Sequence, residues 1–160
     1  MKATWRRTIS QGLVAGIIGF VTVAAVFAVA NIIAGRSVFY TSALLGATLF
    51  YGATDPTQVV VTPANVLAYN GLHLIVFVAF GVLAAALAAI ADRGAQLWYV
   101  SLFFFVFFTF HLAGAVQSFA EPMRAALSDV AIWGAAIAAG AAMLAFLLWQ
   151  HPRIRSRQAW

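Results

Sequence analysis

Apolar residues run through this chain in long blocks, and charged or helix-breaking residues gather between them. The first block extends from about Ile9 to Ala34, the second from Pro63 to Ala91, the third from about Gln96 to Phe119 and the fourth from Pro122 to Gln150. A helix needs about 20 apolar residues to cross a hydrocarbon core roughly 30 Å thick, and each block meets that length. The pattern predicts an all-α integral membrane protein, a four-transmembrane-helix bundle that uses nearly the whole chain as one membrane domain. Asp92-Arg93-Gly94 and Ala120-Glu121 read as tight turns, which makes the last three spans sequential antiparallel neighbours. Thr62-Pro63 and Glu121-Pro122 each set a capping-type residue before a proline at the first helical position, where its missing N–H costs nothing.

The segment from Val38 to Tyr51 is apolar but reaches only ~21 Å as a helix, short of a full crossing. Charge decides its place. With four spans, Lys2, Arg6, Arg7, Arg93, Arg153, Arg155 and Arg157 lie on one side and only Arg36 and Arg124 on the other, as the excess of cytoplasmic Lys and Arg requires. A fifth span would leave four against five and put the arginine-rich tail outside. The segment is therefore expected to be a re-entrant or interfacial helix on the outer face, followed by an irregular loop from Gly52 to Thr62. Both termini are expected in the cytoplasm and the protein in the cell's inner membrane. Trp5, Trp98, Tyr99, Trp149 and Trp160 fall near the cytoplasmic interface and Tyr40, Tyr51 and Tyr69 toward the outer one, an aromatic belt that agrees with the charges.

Composition narrows the choice further. The 160 residues are 64% hydrophobic and 8% charged, against roughly 25% charged in an average soluble domain. The net charge of +5 comes from basic residues beside the spans, where they meet anionic lipid headgroups, so membrane lipids and no nucleic acid are the expected contacts. Cysteine is absent, which excludes disulfides, thiolate metal sites and thiol catalysis. Lys2, Arg6 and Arg7 before an apolar run resemble a secretory signal, but the run from Gly12 to Ala34 is longer than a signal core of about 7 to 15 residues.

Small residues mark candidate packing faces: Gly12-xxx-Gly16 and Ala15-xxx-Gly19 on the first span, Gly134-xxx-Ala138 and Ala136-xxx-Gly140 on the fourth. The bland reading is contact within the bundle, and the sharper one is docking on another subunit. On the third span, Phe103, Phe104, Phe105, Phe107, Phe108 and Phe110 cover every face of two turns. Lipid and neighbouring helices are the ordinary partners of such a belt; a pigment, haem or quinone is the functional alternative.

Polar groups inside spans are costly, so function is sought there. Asn65, Tyr69 and His73 recur every fourth residue and stack along one face of the second span. His111 and Ser118 share a face of the third, flanked by Thr109 and Gln117. Asp129 is the one acidic residue placed within a span, about two turns into the fourth, where a solvated or Arg124-paired carboxylate is expected. Counting from span midpoints puts His73 and His111 at nearly one depth, roughly 6 and 4.5 Å toward the outer face. Two facing imidazoles at that level would suit a bis-histidine haem b or a pigment, with Arg36 and Arg124 available to propionates. The plainer alternative makes each histidine polar glue between helices. His151 lies at the opposite side of the membrane, so no protein-only metal site is expected.

There is no serine with a base at recognisable spacing, no HExxH, no phosphate-binding glycine loop and no pair of carboxylates, so no enzyme acting alone is expected. The expected function is a small accessory or structural subunit of a larger membrane complex, of the respiratory or photosynthetic kind, that packs against other membrane subunits. A b-type haem or pigment carrier using His73 and His111 comes second. A small oligomeric transporter comes third.

Overall fold

The computed structural model describes residues 2–91, 98–116 and 121–151. The described residues form helix α1 (Lys2–Ile33), α2 (Tyr40–Tyr51), a 3-10 turn at Pro56–Gln58, α3 (Pro63–Ala91), α4 (Trp98–Val116), α5 (Glu121–Ala125) and α6 (Asp129–Gln150). Three of these, α1, α3 and α6, are long and apolar enough to cross a membrane. The basic residues at the start of the chain are part of α1 itself.

Local chemistry fixes the boundaries. At the start of α3 the Thr62 hydroxyl accepts the backbone N–H of Asn65 at 3.3 Å, and Pro63 supplies the fixed φ of the first turn. Helix α2 ends at Gly52, whose φ of +68° is left-handed and lets its N–H return to the Ala47 carbonyl. Before α2, the buried Asn31 shapes the turn: its Nδ2 donates to the Val38 carbonyl at 3.2 Å, and its Oδ1 accepts from the Thr41 hydroxyl at 3.0 Å.

The expectation of one continuous helix from Pro122 to Gln150 is corrected. The chain leaves helical geometry after the short α5, and Ser128 is extended at φ −81°, ψ 122°. Its hydroxyl accepts the N–H of Ala131 at 3.3 Å, so Ser128 caps a new helix. A serine that satisfies an orphan amide at a helix start stabilises a break there more than a continuous helix would.

Helices α1 and α3 run antiparallel in backbone contact. A Cβ added at Gly16 would lie 2.6 Å from the Phe77 carbonyl oxygen and 2.7 Å from the Val78 Cα, and one added at Gly81 would lie 2.6 Å from the Gly16 nitrogen. Gly12 meets Val82 in the same way, while Gly19 lies against Phe77 and Met143. Helix α6 covers the next side of α1 and α4 leans on both α6 and α3, so α1 and α4 occupy opposite corners. The core between them is built on Ala15, Phe77, Ala85, Phe108, Ala139 and Met143. Gly140 is buried in α6, whereas Gly134 is exposed with nothing within 4 Å of an added Cβ. The close-packed face of α6 is the alanine row Ala135, Ala136 and Ala139.

Helix α2 docks on the first turns of α3. Gly46 lies against the Asn65 backbone, leaving no room for a side chain, and the Ser42 hydroxyl donates to Asn70 Oδ1 at 3.2 Å. Leu44 and Leu45 insert into a second cluster with Met123, Leu127, Ile132 and Ala136.

Candidate functional site

The polar face predicted on α3 divides by depth. Asn65, in the first turn, serves the loop: its Nδ2 donates to the Val60 carbonyl at 3.0 Å. Tyr69, one turn deeper and half-buried, packs against the α2 and α6 cluster around Leu44 and Ile132. His73 follows at the next turn inside a ring of aromatics. Its imidazole centroid is 4.9 Å from Tyr69 in a tilted pair, and Phe20 of α1 and Phe77 meet it edge-on at 5.6 and 4.8 Å. Edge-to-face contacts of this kind match the positive edge of one ring to the negative face of the other. Among the described residues, neither the Tyr69 hydroxyl nor the His73 ring nitrogens have a hydrogen-bond partner.

Deeper still, Phe77 is fully buried and meets Phe108 of α4 at 5.7 Å and 87°, and Phe80 meets the same ring at 5.0 Å. This contact registers α3 against α4. His73 precedes Phe77 by one turn and His111 follows Phe108 by three residues in the antiparallel sense, so the two histidine positions belong to corresponding turns. The His111 side chain lies outside the described residues, as do Gln117 and Ser118. Thr109, beside Phe108, is buried, and its hydroxyl has no hydrogen-bond partner among the described residues.

Asp129 is corrected in position. Because the chain breaks at Ser128, Asp129 stands in the first turn of α6, exposed, rather than two turns into a span. A carboxylate there is favoured by the positive end of the helix dipole. Arg36, considered as a propionate partner, donates from Nη1 to the Ala126 carbonyl at 2.8 Å and lies over the Tyr40 ring at 4.7 Å. It straps the α1–α2 turn to the link before α6. Among the described residues, no group of three His, Cys, Asp or Glu side chains comes together to hold a metal.

A further polar cluster, absent from the sequence reading, joins the other ends of α1 and α6. Gln11 Nε2 donates to Gln150 Oε1 at 3.4 Å, Gln11 Oε1 lies 3.3 Å from His151 Nε2, and Arg7 Nη2 donates to the Gln150 carbonyl at 3.2 Å. Gln11 and His151 are both buried. The signal available in the sequence was Gln11 itself, a polar residue inside the first apolar block.

No family model, curated protein or solved structure matches this chain.

Proposed function

We propose that the protein is a four-span membrane subunit of a cell's inner membrane, with both ends cytoplasmic, that serves as a small accessory component of a larger membrane complex. The four-span reading is supported by direction. Gln11 near the start of α1 meets Gln150 at the end of α6, and Gly12 meets Val82 while Gly19, further along α1, meets the earlier Phe77, so α3 and α6 both run opposite to α1. The chain must then return between the end of α3 and the start of α6. Helix α4, 19 residues and about 28 Å long, has the length for it. With 12 residues, α2 is too short to cross, and its buried face against α3 supports a re-entrant helix at the outer side.

The observation that carries the accessory role is where the buried polar groups go. Gln11 with Gln150 and His151, and Asn31 with Thr41, spend their hydrogen bonds tying helix to helix. Beyond them, the outward faces of α4 and α6 are bulky and apolar. Phe103 is 70% exposed, Phe110 62% and Val130 84%, surface for lipid and neighbouring subunits. Crosslinking in native membranes followed by mild purification tests the role. The expected result is a defined set of membrane partners crosslinked through the α4 and α6 faces; recovery of the chain only as a monomer contradicts it.

A further inference from the structure

Tyr69 and His73, like Thr109, stand apart from Gln11, Asn31 and Thr41, whose hydrogen bonds close on the protein itself. They stand one turn apart on the same face of α3, and the described residues leave the hydroxyl and both ring nitrogens unsatisfied. Counting from Pro63, they lie roughly 9 and 15 Å along the helix, in the outer half of the span. At that depth an unmade hydrogen bond is costly, and a charged partner is costlier. The closest approaches of the α1 and α3 backbones at glycine are at Gly12, Gly16 and Gly81, toward the cytoplasmic side, whereas α2 packs against α3 at Asn65 and Asn70. Tyr69 borders the α2 contact, and His73 lies along α3 between it and the Gly16 contact at Phe77.

We infer that Tyr69 and His73 form a binding site for the neutral, planar carbonyl head of a membrane-soluble ligand of the quinone class, with its tail in lipid. Each residue supplies a donor: the phenol O–H, and the N–H of a neutral imidazole. The rings of Phe20, Tyr69 and Phe77, all within 5.6 Å of the imidazole centroid, supply flat apolar walls for a conjugated ring. The crowding of rings on three sides of His73 favours a single six-membered head over a macrocycle as wide as a porphyrin. The site does not depend on the accessory role, since it lies within one chain.

The test uses the full chain in nanodiscs of neutral lipid, with decylubiquinone carrying ¹³C at its carbonyls as the probe. Saturable binding above that of empty nanodiscs is expected, with a carbonyl stretch moved to lower frequency by hydrogen bonding. Tyr69→Phe and His73→Phe, which keep an aromatic ring and remove the donor, are each expected to weaken binding about fivefold, the factor that a hydrogen bond of ~1 kcal/mol represents. Should His73→Phe fail to fold, Tyr69→Phe decides alone. Binding equal to empty nanodiscs overturns the inference, as does unchanged affinity in the folded variants. A Soret band on the purified chain that is lost in His73→Phe also overturns it and assigns the imidazole to haem.

Discussion

Gln11 and His151, 140 positions apart, meet at 3.3 Å, joining the third turn of α1 to the residue that caps α6. An amide oxygen only accepts, so His151 Nε2 carries the proton in this contact. The same glutamine donates to Gln150, and Arg7 reaches the Gln150 carbonyl beside it. One buried side chain thus links both ends of the membrane-embedded chain, and it sets α1 and α6 antiparallel.

Gln11→Leu removes both hydrogen bonds, the one to Gln150 and the one to His151. Interhelical hydrogen bonds in membranes are worth about 0.6 kcal/mol on average, so a loss of about 1–2 kcal/mol is expected. The midpoint of unfolding by sodium dodecyl sulfate in mixed micelles reads it. Gln11→Asn, with the same groups on a shorter arm, should recover little, because the distances to two partners are fixed by the helix pair.

The glycines of α1 and α3 should divide from the glycine of α6. Gly81→Leu drives a side chain into the backbone of Gly12 and Gly16, and overpacking of this kind costs about 1–3 kcal/mol or more. Gly134→Ala meets open space and should stay within about 0.5 kcal/mol of the parent. Equal losses at the two positions in the same unfolding assay would contradict the helix arrangement.

Much of this architecture is legible in the sequence because lipid demands long apolar blocks. Pro63 and Ala91 bound α3 as expected, and α2 begins only two residues later than Val38. Two kinds of feature are not legible. The break before Asp129 depends on Ser128 winning its amide from a continuous helix, and Pro122 offers a competing start signal six residues earlier. Polar pairings such as Asn31 with Thr41 or Gln11 with His151 depend on which helices meet, which apolar length does not encode. Gly81 and Gly46 do carry small-xxx-small spacing, with Ala85 and Ser42, but which of the many such pairs meets a partner backbone depends on another helix. The face carrying Tyr69 and His73 is readable from its spacing, but the aromatic ring around His73 draws on Phe20 of a different helix.

In the loop between α2 and α3, Asp55 accepts from both the hydroxyl and the backbone N–H of Thr57, at 2.7 and 2.8 Å, and these bonds hold its carboxyl below the ordinary aspartate range. A lowered folded value means that the ionised group stabilises the 3-10 turn above the unfolded pKa, and that this is lost as pH falls through the folded value. Protection of the Thr57 amide, its exchange measured against the intrinsic rate at each pH, should therefore persist through mildly acidic pH and be lost only below the usual carboxylate pKa. Asp55→Ala should lower it at neutral pH as well. A Thr57 protection factor unchanged across this pH range would contradict the turn as described.

The absence of cysteine makes single-cysteine labelling free of background, and it tests the four-span arrangement most directly. Cysteines placed at Thr4, Ser37, Thr57 and Ser156, one per variant, are reacted with a membrane-impermeant maleimide on intact cells and again after permeabilisation. With four spans, Ser37→Cys and Thr57→Cys react on intact cells, while Thr4→Cys and Ser156→Cys react only after permeabilisation. Reaction of Thr4→Cys and Ser156→Cys from opposite sides would require an odd number of crossings and contradict that arrangement.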